Sequence, residues 1–294
     1  MDYIKAKTIV ASKKYPEQWF GCDFNMNIYR GCCHGCIYCD SRSECYQISN
    51  FDKVVAKENA IELIERELKG KRRTGVIATG SMSDPYNPYE KKYQLTRKAL
   101  EQVDRFGFGI HIITKSNLVA RDIDILASIR NHSPASVGIT ITASDDELSK
   151  KIEPGAPLSS ERFAAIKKLT DRNIYSGIML IPLLPGITDT ADNILSIVRQ
   201  AAVSGAKFIY PMFGVTIRTG QREYLYRGLD KWFPGLREHY TNTFGDEYEC
   251  SSENANTLSR LFKAECKKLK IDFEMSKIIY AIRDNVKIKQ TSLF

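Results

Sequence analysis

The chain has no run of about 18 apolar residues, so nothing in it reads as a membrane-spanning helix. Its first residues, Met1-Asp2-Tyr3-Ile4-Lys5, lack the apolar stretch of a secretory signal. The cytoplasm is therefore the expected compartment. A disulfide framework is missing too. Of eight cysteines, six fall between Cys22 and Cys45 instead of being spread along the chain. Clustered thiols in a cytoplasmic protein point to metal binding or catalysis. There is no internal repeat and no low-complexity linker, which leaves ordinary globular architecture.

What is present fits that reading. The 294 residues are 43% hydrophobic and 27% charged, enough to bury a sizeable core without staples. The net charge of +8 suits an anionic partner such as nucleic acid, and it is equally an ordinary means of staying soluble. Short apolar, often β-branched runs predict strands at residues 24–29, 75–79, 109–114, 137–142, 175–181 and 208–213. Helical patterns lie between them at 57–68, 92–106, 122–131, 159–172 and 191–204, the fourth opened by an expected cap at Ser159-Ser160. Such alternation implies βαβ units with right-handed crossovers. Six units fit an open or partial (β/α) barrel or a doubly wound sheet. Residues 218–248 are rich in Tyr, Arg, Phe and Gly without clean periodicity, and a long helix follows near 254–269. The expected division is a core over residues 1–214 and a C-terminal extension with a helix and a basic tail over 215–294, packed on that core.

The informative segment is Tyr29-Arg30-Gly31-Cys32-Cys33-His34-Gly35-Cys36-Ile37-Tyr38-Cys39-Asp40. Cys32, Cys36 and Cys39 form Cys-x3-Cys-x2-Cys on one short loop after a strand. Three thiolates so placed can wrap one face of a 4Fe–4S cluster. Most such clusters take four cysteines, so a set of three leaves one iron open. The competing metal is zinc, which wants four ligands in paired sets. Cys33, His34 and Cys45 are candidates to complete one, but no second pair stands at zinc-ribbon spacing, and iron–sulfur is favoured. Cys22, Cys33, Cys45, Cys250 and Cys266 read as structural.

This motif, with Tyr38 before its last cysteine, resembles the radical S-adenosylmethionine (SAM) signature. Its context is similar to the branch related to spore photoproduct lyase, often described as DNA repair photolyase-like. The similarity extends through Thr79-Gly80-Ser81-Met82-Ser83-Asp84-Pro85-Tyr86, Thr114-Lys115-Ser116, Glu153-Pro154 and Pro182-Leu183-Leu184-Pro185-Gly186. The resemblance implies a partial (β/α)6 barrel of the TIM-like kind, with the site at the C-terminal strand ends. It implies a 4Fe–4S cluster on Cys32, Cys36 and Cys39, and SAM bound at the open iron. Thr79, Gly80 and Ser81 would cradle the methionine amino group and Lys115 would pair with its carboxylate. Thr142 and Ser144 would reach the ribose, and Tyr38 and Pro182 would border the adenine. Reductive cleavage would then give a 5′-deoxyadenosyl radical, with electrons from a donor such as flavodoxin or ferredoxin.

Two acids near the expected mouth were weighed. Asp84 is a candidate substrate or acid/base group, and Glu90 reads as structural. Ser81 stands where spore photoproduct lyase has a hydrogen-donating cysteine, and a serine O–H bond is too strong for that task. The expectation is thus a lyase- or oxidoreductase-like enzyme that acts on nucleic acid by another route. Alternatives are modification of a peptide or small metabolite, or a metal-binding module without SAM chemistry. The Arg218–Arg227 stretch interleaves cations with aromatics, as a phosphate and base contact would, and reads equally as a packed amphipathic helix. The terminal Gln290-Thr291-Ser292-Leu293-Phe294 resembles a peptide that docks on the DNA sliding clamp. No membrane partner is expected.

Overall fold

The computed structural model describes residues 1–286. The expected clamp peptide, Gln290–Phe294, lies outside the described residues. The chain enters by β1 (Asp2–Ile4), β2 (Val10–Ser12) and β3 (Phe24–Met26). It makes β4 (Tyr29–Arg30) just before the cysteine loop and β5 (Val55–Lys57) after it. Strands and helices then alternate: α1 (Ala60–Lys69), β6 (Val76–Thr79), α2 (Glu90–Tyr93), α3 (Leu95–Arg105), β7 (Gly109–Thr114), α4 (Ile123–Ile129) and β8 (Ala135–Thr140). The run continues with α5 (Asp146–Ile152), α6 (Ser159–Asp171), β9 (Tyr175–Leu180), α7 (Ala191–Val203) and β10 (Phe208–Pro211).

Seven strands form one sheet in the order β10-β9-β8-β7-β6-β3-β2. The six from β3 to β10 are mutually parallel, and β2 adds antiparallel at the edge. The order follows the chain without a switch point, so the sheet is a partial (β/α)6 barrel rather than a doubly wound sheet. The central strands are buried on both faces; β8 and β9 show no exposed residue. That is the physical cause of their apolar, non-alternating sequence. The outer layer is supplied by one apolar stripe per helix, as with Ile194, Ile197, Val198 and Ala201 of α7.

The predicted elements land within a few residues, with informative exceptions. Strand β8 runs over 135–140, not 137–142, and turns into a loop two residues early. Helix α6 is capped from Glu161, whose carboxylate accepts the Leu158 N–H at 2.8 Å. Ser159 is already inside the helix, its hydroxyl donating to Ala143 O at 2.7 Å. The aperiodic segment after residue 214 is ordered: β11 (Gly214–Thr216) pairs antiparallel with β12 (Glu249–Ser251), enclosing α8 (Gln221–Trp232) and α9 (Leu236–Phe244). Two helices follow, α10 (Ala255–Lys268) and α11 (Met275–Asp284).

The inner face of the sheet is plugged below the site by aromatic rings. Phe20 stacks on His111 at 4.2 Å and meets Phe208 at 5.7 Å; Phe208 in turn stacks on Tyr175 at 5.5 Å. Helix α11 closes this plug with Ile278 and Ile282. Phe208 has no exposed surface. Phe208→Ala is expected to lower the unfolding free energy by about 3–5 kcal/mol, read as a lower denaturant midpoint at unchanged slope.

Candidate active site

The C-terminal strand ends open onto a cavity of about 590 Å³. Cys32, Cys36 and Cys39 line one wall, with Tyr38 among them. Thr79, Gly80, Ser81 and Asp84 follow β6, Thr114 and Lys115 end β7, and Ile181-Pro182 follows β9. Ten of the residues singled out from sequence therefore meet in one place. Thr142 and Ser144 do not. Because β8 ends at Thr140, the next residues fall in a buried loop outside the cavity lining and are pinned by Asn193 of α7. Its Nδ2 donates to Thr142 O at 2.9 Å and its Oδ1 accepts the Ser144 N–H at 2.7 Å. The strand's cavity residue is Thr140 instead.

The cysteine loop is fixed by close backbone approach and by hydrogen bonds from the segments that follow β6 and α5. Gly31 has φ of 79°, and a Cβ there would meet Phe51 O at 2.7 Å, so only glycine allows the close approach. Ser83 Oγ donates to Gly31 O at 2.5 Å. His34 is buried; its Nδ1 lies 3.1 Å from Gly155 O and its Nε2 3.2 Å from Asp84 Oδ2. The Gly155 N–H donates to His34 O at 2.7 Å, and a Cβ on Gly155 would meet Cys33 O at 2.5 Å. The Glu153-Pro154-Gly155 segment after α5 is thus a clamp on the loop.

Beneath the loop lies a buried charge network. Glu153, 1% exposed, accepts a hydrogen bond from the Tyr38 hydroxyl and pairs with Arg162 Nη1 at 2.5 Å. Arg162, fully buried, also donates to Thr140 O at 3.0 Å and Pro157 O at 2.8 Å. Lys115 Nζ stands 5.4 Å from the Tyr38 ring centre. Burial opposes ionisation of Glu153, but Arg162 and then Lys115 outweigh it and hold its carboxyl below the ordinary range. Burial likewise opposes the charge of Lys115, and the facing Cys36 and Glu153 more than restore it.

Asp84 is no free acid/base group. Its Oδ1 accepts from Thr114 Oγ1 at 2.6 Å and Tyr86 N at 2.8 Å, and its Oδ2 from Lys115 N at 2.7 Å. Burial opposes its charge, yet His34 and these donors hold its carboxyl down to about 2. It ties the β6 and β7 loops to the cysteine loop and stays ionised. Glu90 is structural: fully buried, it accepts from the Tyr29 hydroxyl and from Thr96 N at 2.7 Å, and pairs with Arg121 at 3.1 Å. Ser81 is exposed to the cavity and its hydroxyl donates to Asn27 Oδ1 at 3.3 Å.

The residues fit an iron–sulfur cluster and SAM. All three thiols are free of disulfides. Burial pushes the Cys32 thiol up to about 12 and those of Cys36 and Cys39 upward as well. Thiolates at such positions therefore need positive charge from a metal. Among the described residues no three His, Cys, Asp or Glu side chains converge on one point where a single ion would sit. A mononuclear zinc site needs its sulfurs within about 4 Å of each other, whereas a cluster takes one thiolate on each of three irons, set well apart. Thr79 Oγ1 is buried with no hydrogen-bond partner and lines the cavity, as a contact for a polar ligand would. Gly80, φ 87°, would place a Cβ 2.1 Å from Ile113 O; its backbone is left bare at the cavity wall.

Comparison with known proteins agrees. The Radical SAM superfamily model matches residues 26–198. An uncharacterized protein of Methanocaldococcus jannaschii is 36% identical over 190 residues, 63% of this chain and 68% of the relative. One of Mycobacterium bovis is 28% identical over 228 residues, covering 75% and 67%. The radical SAM Nalpha-GlyT isomerase of Pseudomonas phage M6 is 24% identical over 217 residues, covering 74% and 42%. Among solved structures, a spore photoproduct lyase mutant is similar in fold, with TM-score 0.66 at 12% identity over 93% of this chain and 80% of that one. The chain belongs to the radical SAM superfamily, whose members use a 4Fe–4S cluster and SAM.

Sequence reasoning missed part of this support. Gln221 carried no motif signal, and His34, though inside the cysteine motif, read only as a candidate zinc ligand. Gln221, fully buried, donates from Nε2 to Tyr38 O and to Thr216 O, both at 2.9 Å. The Arg/Tyr stretch is α8, packed inward through Leu225, Tyr226 and Leu229. Arg222 is committed to the carbonyls of Gly245 and Glu247 at 2.6 and 2.7 Å, and Arg218 to Asp40 and the Tyr248 hydroxyl. Of its three arginines Arg227 is the exposed one, and Thr219, Gly220 and Glu223 are exposed beside it.

Glu153→Gln is expected to cost about 3–5 kcal/mol, because it leaves Arg162 charged and uncompensated. The double variant Glu153→Gln/Arg162→Met should recover much of that loss in denaturant melts. A double variant no more stable than the single one would mean that the pair is not coupled.

Proposed function

We propose that this radical SAM enzyme takes a hydrogen atom from a nucleotide substrate and closes its cycle without a cysteine hydrogen donor of its own. The observation that carries the second clause is the cavity lining: its cysteines are Cys32, Cys36 and Cys39, all committed to the cluster, and Ser81 faces the space after β6. Three things support a nucleotide. They are the net charge of +8, a cavity open at the strand ends, and the likeness to spore photoproduct lyase complexed with dinucleoside spore photoproduct, TM-score 0.65.

When bound, the cluster and SAM supply a 5′-deoxyadenosyl radical able to attack an unreactive C–H bond. The chain's own residues do the rest. Cys32, Cys36 and Cys39 hold the cluster, and the Lys115 ammonium faces the SAM carboxylate. The Thr79 hydroxyl and the Gly80 carbonyl take the methionine amino group. Tyr38 and Pro182 flank the adenine, and Thr140 serves the ribose in place of Thr142 and Ser144. The apolar walls from Ile113, Met179 and Ile181 exclude water from the reacting centre.

Anaerobically reconstituted protein should carry about four irons per chain and form 5′-deoxyadenosine with dithionite and SAM. Cys36→Ala should lose both. Ser81→Ala should keep the cluster and change SAM cleavage by no more than about twofold, as its hydroxyl meets only Asn27. Adding single-stranded or duplex DNA should raise the yield of deoxyadenosine. A yield indifferent to both would overturn the nucleotide reading, and cleavage that survives in Cys36→Ala would overturn the cluster assignment.

A further inference from the structure

Part of the cavity wall carries none of the cofactor contacts named above. Lys13, Trp19 and Asn25 line it. The two cavity lysines are placed apart: the charge of Lys115 acts on Cys36 and Cys39, that of Lys13 on Cys22 and His111. Among the described residues no carboxylate pairs with Lys13, whereas the carboxylates of the cysteine-side wall have partners, Asp84 facing His34 Nε2 at 3.2 Å and Asp40 facing Arg218 Nε at 3.0 Å. A half-buried lysine that lines the cavity without a counter-ion is a place for an anion.

Trp19 stands beside it, 39% exposed although its segment is strongly held. Trp19, Phe20 and Gly21 have successive φ of 44°, 61° and 65°. Two non-glycine residues in the left-handed region are costly and persist only where the surroundings impose them. Here Phe20 is locked on His111, its N–H reaches Met275 Sδ at 3.2 Å, and Ile279 of α11 closes over Gly21. The result projects the indole to the rim. The Phe20 and Tyr210 rings meet it at 85° and 90°, at 5.3 and 5.6 Å. Tyr210 belongs to β10 and Trp19 to the loop between β2 and β3, so the contact bridges the two edges of the open barrel. A flat ring, partly open to solvent and met by two other rings at steep angles, next to an unpaired cation and an amide, has the chemistry of a nucleotide subsite.

We propose that Lys13, Trp19 and Asn25 form the substrate subsite, with the phosphate of a nucleotide unit on Lys13 and its base against the Trp19 indole. This rests on the nucleotide reading above and adds the place where the substrate sits. Binding of a fluorescein-labelled single-stranded oligothymidylate to cluster-loaded protein with SAM, without reductant, tests it by anisotropy across a salt series. Lys13→Gln is expected to weaken binding about tenfold and to reduce the slope of log K against log salt by about one. Trp19→Ala should weaken it by roughly tenfold, while Trp19→Phe, which keeps a ring, should retain more than the alanine variant. Circular dichroism melts confirm that each variant folds. Wild-type affinity and slope in both Lys13→Gln and Trp19→Ala would overturn the subsite and leave the nucleotide reading standing. No binding by the unaltered protein even at low salt would overturn both.

Discussion

The site depends on one buried carboxylate. Glu153 is almost without solvent, takes the Tyr38 hydroxyl, and pairs with Arg162. Each contact reaches a different part of the molecule. Tyr38 belongs to the cysteine loop, Arg162 to the first turns of α6, and the Arg162 guanidinium continues to Thr140 O at the end of β8. One charge thereby registers the loop against the barrel. The network also has an electrostatic consequence. Arg162 and Lys115 bring two positive charges against the single negative charge of Glu153, so a positive surplus faces Cys36 and Cys39. Burial alone penalises thiolates, and this surplus works against that penalty where a cluster requires them.

A second set of contacts explains why the C-terminal segment is part of the site's support. Gln221 caps the carbonyl of Tyr38 from α8. Gly228 lies so close to Ile37 that a Cβ would come within 2.7 Å of it. Arg42, just past the last cysteine, stacks on Tyr224 of α8 at 3.6 Å. The loop is thus held from below by Glu153 and Gly155, from one side by Asp84, and from outside by α8. Part of the aromatic and basic composition of residues 218–227 arises from this packing: Tyr224 covers the loop, Arg222 satisfies the carbonyls of Gly245 and Glu247, and Arg218 pairs with Asp40.

Much of this was legible from residue order, for physical reasons that differ by element. Buried parallel strands are uniformly apolar and short, so β6, β7, β9 and β10 could be placed closely. The cysteine spacing encodes its own chemistry, because a cluster on one loop demands thiolates within one short stretch. The position of Lys115 after β7 was also readable. What escaped was set by tertiary contact. The end of β8 is decided by Asn193, some fifty residues on, which moved Thr142 and Ser144 away from the cavity and left Thr140 in their place. Asp84 looked like a reactive acid because sequence does not show four donors converging on it. Lys13 and Trp19 were invisible as site residues, since the loop that carries them reaches the cavity only through the turn at 19–21, and α11, which stabilises that turn, had been read as a basic tail.

The incomplete barrel gives these pieces a common logic. Six parallel strands cannot close, so β10 and the β2–β3 edge are left apart. The lower half of that gap is filled by Phe20, Phe208, Tyr175 and α11, a dry plug that keeps the sheet curved and the core sealed. In the upper half Trp19 meets Tyr210 across the gap, with the ring planes at 90°. On the opposite wall the cysteine loop is over-determined by hydrogen bonds and buried charge. Rigidity is therefore concentrated where a cluster must sit without error, and the open side is bounded by a ring and a long flexible cation. A radical enzyme needs this asymmetry. Its cofactors require a fixed, water-poor wall, while its substrate must enter and its products must leave. An open seam meets that second need, and a closed eight-stranded barrel, filled with side chains to its centre, would not.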